Sequence, residues 1–373
     1  MIRDLFVPSF RSVFLRVVGL LSLLWFLCQP VAAQKLAPPA DAIAAVVKDN
    51  ASARARLADL QKLADETLAR KPDPVSELFI EGHLTSDPKN IRSREALRDM
   101  GRLDALAFCA MMTRRDDYAA KGREFVTAWL TTYQPTGNPI NETNLEPVIR
   151  AYDILRDGFS PEEREAMESR IRLLVDAILR RTDPVNNWGS HRLKIVALGA
   201  YALRDPELIA DVEKKVRRFL GVNLNSDGST LDFHERDALH YHVYSLVPLL
   251  TLAQTARRHG TDFYAYTTPK GASLPKSVAF LVPYATGEKT HAEFVNSKMG
   301  FDRRRSEAGQ TTFKTGRLFD PARAFPAIAL AAAFDPALSP LARKLSPSPN
   351  EEFPNWQFVL NAAAAKSRKA STL

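Results

Sequence analysis

The sequence predicts an all-α fold: antiparallel helical hairpins stacked around a groove as an incomplete barrel, an α/α toroid. Three observations predict it. Apolar residues recur at helical spacing in segment after segment. The segments are joined by short polar connections, the pattern of helical hairpins. No alternating stretch is long enough for a sheet. Periodicity supplies the helices; a ring is the simplest way for such hairpins to enclose a groove.

The chain has 373 residues, 45% hydrophobic and 25% charged, an ordinary globular composition. Its first 33 residues stand apart. Arg3, Arg11 and Arg16 precede an unbroken apolar core at 17–28, too short to span a bilayer comfortably. Val31-Ala32-Ala33 then sets small residues for cleavage before Gln34. We read 1–33 as an export signal leading to the periplasm and 34–373 as one domain, with no membrane attachment after cleavage. Bulky Leu27 argues against lipidation of Cys28. Cleavage leaves Cys109 alone in an apolar run, so an intrachain disulfide and a cysteine metal site are both excluded.

After a proline-rich entry at 35–41, residues 49–70 read as a helix ending at Lys71-Pro72-Asp73-Pro74. Residues 93–115 carry Leu97, Met100, Leu103, Leu106, Ala107 and Met111 on one stripe. Helices at 118–133 and 142–156 flank the turn Gln134-Pro135-Thr136-Gly137. Ser160-Pro161-Glu162-Glu163 starts the next: serine as N-cap, proline at the first position, glutamate at the third, running to about Arg181. Segments 187–203, 206–220 and 237–259 extend the series, and Pro248 should kink the last or remove one backbone bond. Further on, 276–284 and 322–333 read as helices around a polar, basic stretch at 287–318. The tail from Ala362 reads as loosely ordered.

Formal charge is +8 and the pI about 9.4, which favours nucleic acid, acidic lipid or a polyanionic sugar as partner. The export signal and the lack of a basic recognition motif argue against nucleic acid. No P-loop, dinucleotide glycine fingerprint, His-Glu-x-x-His or Gly-x-Ser-x-Gly is present.

The chemistry concentrates in 228–244, GSTLDFHERDALHYHVY, which holds His234, His240 and His242 of the chain's seven histidines, with Arg236, Tyr241 and Tyr244. On a helix starting near Asp237, Arg236 and His240 are four apart, as are His240 and Tyr244. A solvated helix start accounts for the same residues. His240 and His242, two apart, point in different directions, so no metal site is expected. At 186–191, NNWGSH opens an apolar helix with Asn187 and His191 on one face; Trp188 is placed to stack on a sugar or to anchor the core. At 287–305, Lys289, His291, Lys298 and Arg303-Arg304-Arg305 interleave with Phe294 and Phe301, as a polyanion clamp or a solvated loop.

NNWGSH at 186–191, ERDALHYHVY at 235–244 and GNPINE at 137–142 together resemble the bacterial alginate lyase family, with similarity from about Leu78 to Ala333. The resemblance implies an α/α toroid and cofactor-free, metal-independent β-elimination on a uronate polysaccharide such as alginate. It implies Tyr241 as the proton-transfer residue and Asn187 as the family asparagine. Two positions depart from the family pattern. Trp188 stands where histidine follows the asparagines, with His191 three residues later, and His234 stands seven before the tyrosine, where the family has arginine. Asn187, a histidine and Arg236 are then expected to neutralise the uronate carboxylate. Tyr241 acts as acid, and also as base if nearby cations lower its pKa. His191 is the candidate neutraliser or base, with His240 and His242 as competitors. Trp188, Tyr244, Arg150, Lys289, His291 and Arg303 complete the expected substrate contacts. Two other readings are a toroidal hydrolase using Glu146, Asp232 or Glu235, and a non-catalytic polysaccharide-binding protein.

Overall fold

A further helix lies ahead of the one expected at 49–70, and Asn50 separates the two, because its side chain accepts from the Ala53 N–H and so caps a new start. The result is α1 (Ala40–Asp49) followed by α2 (Ala51–Leu68). A break at Leu97 likewise separates α3 (Pro88–Ala96) from α4 (Arg98–Thr113). In this computed structural model residues 34–182 and 184–371 are described; the segment read as an export signal lies outside them.

The series continues with α5 (Asp116–Thr132), the single turn α6 (Pro139–Glu142), α7 (Glu146–Leu155) and α8 (Pro161–Leu179). The predicted start of α8 is a full capping box: Ser160 Oγ accepts from Glu163 N, and Glu163 Oε2 accepts from Ser160 N at 2.8 Å. Then come α9 (Asn187–Leu203), α10 (Pro206–Asn223), the short α11 (Leu231–Arg236) and α12 (Leu239–Arg258). The chain ends with α13 (Leu274–Thr286), α14 (Gly300–Glu307), α15 (Phe325–Ala331), α16 (Ser339–Leu345) and α17 (Trp356–Ser371). Among the described residues the only β pairing is two isolated bridges, Leu224 with Thr230 and Ala292 with Leu318.

Helix α9 is buried almost all round, as expected of a helix at the centre of its neighbours. It packs against α7, α8, α10 and α12, while α4 packs against α2, α5 and α7. Leu246 and Leu250 on α12 are fully buried, each contributing about 1.5–3 kcal/mol. Stacked hairpins of this kind make an α/α toroid. Helix α17 returns to α1 and α2, with Val359 and Ala363 buried and Lys366 Nζ 2.9 Å from Asp49. The described residues from Ala362 continue this helix to Ser371, with alanines allowing close approach.

Candidate active site

The α12 start differs from the expected one at Asp237. That residue closes α11 in the left-handed region, φ 47°, and α12 begins at Leu239. Aspartate tolerates this conformation better than most residues, and a distant loop secures it. Asn296 donates through its backbone N and Nδ2 to Asp237 Oδ2 at 2.9 and 3.0 Å, and Phe294 N donates to the Asp237 carbonyl at 2.7 Å. The N-cap residue of α12, Ala238, has no side-chain acceptor. Glu293 of the same loop supplies one, accepting from Leu239 N at 2.7 Å and His240 N at 3.0 Å. Burial raises the Glu293 pKa against the pull of these two N–H groups.

Arg236 is thus one helix earlier than Tyr241, yet the reversal at Asp237 lays its guanidinium 4.2 Å from the Tyr241 ring centroid. Arg236 Nη1 donates to the Tyr241 hydroxyl at 3.3 Å and to Asp302 Oδ1 at 2.7 Å. From α14, Arg305 Nη1 donates to the same hydroxyl at 3.0 Å, and Asp302 Oδ1 lies 3.4 Å from it. Tyr241 is only 5% exposed. Burial raises its pKa; Arg236 and Arg305 oppose this and Asp302 adds to it. Desolvation outweighs the two arginines, so the condition for Tyr241 to serve also as base, a lowered pKa, is not met and the resting group is a neutral phenol.

His240 meets both Tyr241 and Phe313 edge-on, with ring centroids 5.1 and 5.2 Å away. Burial, then Arg323, Arg305 and Arg236, push its pKa down to about 3. The His191 ring lies tilted against Tyr244, ring centroids 4.3 Å apart, and its Nδ1 pairs with Thr143 Oγ1 at 2.9 Å. Burial and then Lys194 hold its pKa well below the usual range. The Tyr244 carbonyl, whose normal helical donor is missing at Pro248, opposes that shift without reversing it. Burial raises the Tyr244 phenol as well.

Several residues expected at the substrate have polar groups paired within the fold. Asn187 is 2% exposed; its backbone N and Nδ2 both donate to Asp232 Oδ1 at 2.7 Å, while Asn223 holds Asp232 Oδ2. His242 is fully buried between Thr230 Oγ1 at 3.2 Å and the Ser277 carbonyl at 3.0 Å, its pKa lowered to about 4, burial being the main cause. Arg150 bridges Asp104 at 2.9 and 2.7 Å and Glu146 at 2.7 Å, and Lys194 joins the cluster through Glu146. Two cations there face two carboxylates. His291 Nε2 donates to the Asp237 carbonyl at 3.1 Å. Trp188 is half-buried, while Lys289 and Arg303 are exposed.

The sequence reading missed Asp302 and Glu293, and it did not separate Arg305 from its two neighbours. Asp302 and Arg305 share one turn of α14, a helix too short and polar to show as a periodic segment. Around the site, Arg303, Arg304, Arg305, Lys314, Arg317 and Arg323 have no ion-pair partner among the described residues. Among those residues, no group of three or more His, Cys, Asp or Glu is arranged to hold a metal ion.

The model of the family described as "Alginate lyase" matches residues 44–291. The chain belongs to the alginate lyase family. An alginate lyase from Stenotrophomonas maltophilia (strain K279a) is 26% identical over 154 residues, which are 37% of this chain and 20% of that protein. The chain thus matches about a fifth of this curated relative's length. In structure, an alginate lyase from Bacteroides ovatus superposes with a TM-score of 0.64 at 17% identity, covering 88% of this chain and 99% of that one. This likeness extends to the fold. No helix among the described residues is long and apolar enough to cross a membrane.

Proposed function

We propose that this alginate lyase family member is a polysaccharide lyase that cleaves a uronate polysaccharide, alginate in the first instance, by β-elimination. The observation that carries the reading is the Tyr241 hydroxyl, held by two guanidinium groups at the head of α12 among unpaired cations. Family membership supports it. So does the state of two of the three carboxylates named for hydrolysis: Glu146 is ion-paired twice and Asp232 is buried under two amides.

In the reaction the C5–H bond breaks and a base takes the proton. The electron pair forms the C4=C5 double bond, the C4–O4 bond breaks, and O4 receives a proton. The neutral Tyr241 phenol is the donor to O4, and its guanidinium neighbours stabilise the phenolate that results. His191, kept unprotonated by burial, is our candidate acceptor of the C5 proton; His240, beside Tyr241, is the competitor. We assign Asn187 to fixing the first turn of α9 against Asp232. The exposed Lys289 and Arg303, with Trp188 and Tyr244, are proposed to line the polymer path. We also propose a periplasmic location, resting on residues 1–33.

The test incubates purified protein with alginate, polyglucuronate and hyaluronan and follows the ultraviolet absorbance of unsaturated ends. Wild type should generate the chromophore on at least one polymer, and Tyr241→Phe should lose about 10²–10⁴-fold of the rate. Reducing ends without chromophore would make the protein a hydrolase, and silence on every polymer would remove the enzyme reading. N-terminal sequencing of the periplasmic form should begin at Gln34; a form retaining residues 1–33 would refute the export proposal.

A further inference from the structure

We propose that Arg305, and not Arg236, receives the uronate carboxylate, and that Arg236 with Asp302 is the pair that positions Tyr241. The inference rests on the uronate reading above and assigns the group that recognises the acid.

Charge decides between the two arginines. Arg236 is already neutralised: its Nη1 lies 2.7 Å from Asp302 Oδ1, with side chains 10% and 1% exposed. Asp302 is held in turn by the Ser297 hydroxyl at 2.7 Å. A substrate carboxylate on Arg236 would set two anions against one buried cation, an arrangement that low dielectric penalises. Arg305 has no carboxylate partner among the described residues. It donates through Nη1 to a neutral phenol, and its buried Nε has no acceptor.

Shape agrees with charge. The Arg305 guanidinium lies 4.2 Å from the Phe301 ring centroid and 4.3 Å from that of Phe313. Two phenyl rings shield it from water and leave its planar edge, which carries N–H donors in the fork geometry that suits a carboxylate. That edge already touches the Tyr241 hydroxyl, so one sugar can place its carboxylate on Arg305 with its scissile bond close to the phenol. On binding, Nη1 passes from the phenol to the carboxylate, while Arg236 keeps its contact with the hydroxyl. Because Asp302 and Arg305 are three apart on α14, one docked helix delivers both the counter-ion that silences Arg236 and the guanidinium left free.

The experiment pairs turnover with binding. Steady-state kinetics are measured for Arg305→Gln, Arg305→Lys and Arg236→Gln. Calorimetric binding of a saturated tetrauronate, and of its carboxyl-reduced neutral counterpart, is measured in Tyr241→Phe with and without Arg305→Gln. Loss of one partner of a desolvated charge pair should weaken tetrauronate binding about 30-fold or more. The neutral tetrasaccharide should bind equally to both proteins. Arg305→Gln should raise KM, Arg305→Lys should recover part of the loss, and Arg236→Gln should lower kcat with little change in KM. Thermal melts identify a variant that fails to fold, in which case the Arg305→Lys data decide. The inference is overturned if Arg305→Gln leaves KM and tetrauronate affinity unchanged, or if neutral and acidic ligands lose affinity alike. Arg305-dependent tetrauronate binding without turnover on any polymer would uphold the inference and overturn the lyase reading.

Discussion

Replacing Asp302 by alanine removes the one carboxylate among the described residues that faces the buried Arg236 guanidinium. The Nη1–Oδ1 contact is 2.7 Å long, and the buried Arg236 Nε has no acceptor. Breaking a buried pair from one side costs about 3–5 kcal/mol, because the remaining charge stays desolvated. With an unfolding entropy of about 2.1 cal/mol/K per residue, a unit of roughly 340 residues carries about 0.7 kcal/mol/K near its midpoint. The expected fall in Tm is therefore about 4–7 °C, read by circular dichroism. Asp302→Asn, which keeps an oxygen for Ser297, should fall less. A further consequence is electrostatic: Asp302 raises the Tyr241 pKa while both arginines lower it, so the phenol should titrate at lower pH in Asp302→Ala. Ultraviolet difference titration against Tyr241→Phe isolates that group. The control is Arg236→Met in the Asp302→Ala background, which removes both charges and should restore much of the lost stability. A Tm within about 1 °C of wild type, or a double variant less stable than Asp302→Ala, would refute the reasoning.

Arg150→Ala should leave Asp104 and Glu146 facing Lys194 alone and cost about 3–5 kcal/mol, while KM moves less than about threefold. Melts and kinetics on one preparation check both halves. His242 supplies a pH dependence. Its folded pKa of about 4 lies below the unfolded value near 6.5, so the unfolded chain binds the extra proton between these values. Its contribution, up to about 3 kcal/mol, is complete above pH 6.5 and is lost as pH falls toward 4. Urea midpoints at pH 7.5 and 4.5 should converge in His242→Gln, though not fully, since His240 and His259 shift the same way. Gly228→Ala should cost more than about 2 kcal/mol, because φ is +93° and a Cβ would sit 2.3 Å from the Lys276 carbonyl oxygen. Gly221→Ala, in α10 with nothing within 4 Å of the new atom, should gain about 0.5–1 kcal/mol. Equal melting shifts for the two glycine variants would contradict this.

What could be read directly from the chain was local. The α9 bounds, the Ser160 capping box and the grouping of Arg236 with Tyr241 all depend on residues a few positions apart. Ring closure was not local: α17 meets α1 through Lys366 and Asp49, and an Ala-rich tail has no periodic stripe to announce that contact. The same limit governs the site. Asp237 looks like a helix start, since aspartate is a good N-cap, but Asn296 and Phe294 hold it in a left-handed turn. The acceptor for the α12 start then comes from Glu293, 53 residues beyond His240.

Charge was the least legible property of all. Arg150, Arg236 and Arg305 are the same letter in polar surroundings, and only a neighbouring carboxylate separates them. For Arg150 the partners are Glu146, four residues away, and Asp104, 46 residues away, and for Arg236 the partner is Asp302, 66 residues away. Counting basic residues therefore marks the polyanion-binding region without saying which cation in it is still free to bind. That choice depends on which arginine the fold leaves unpaired beside Tyr241, and Arg305 is the one whose guanidinium meets a phenol instead of an acid.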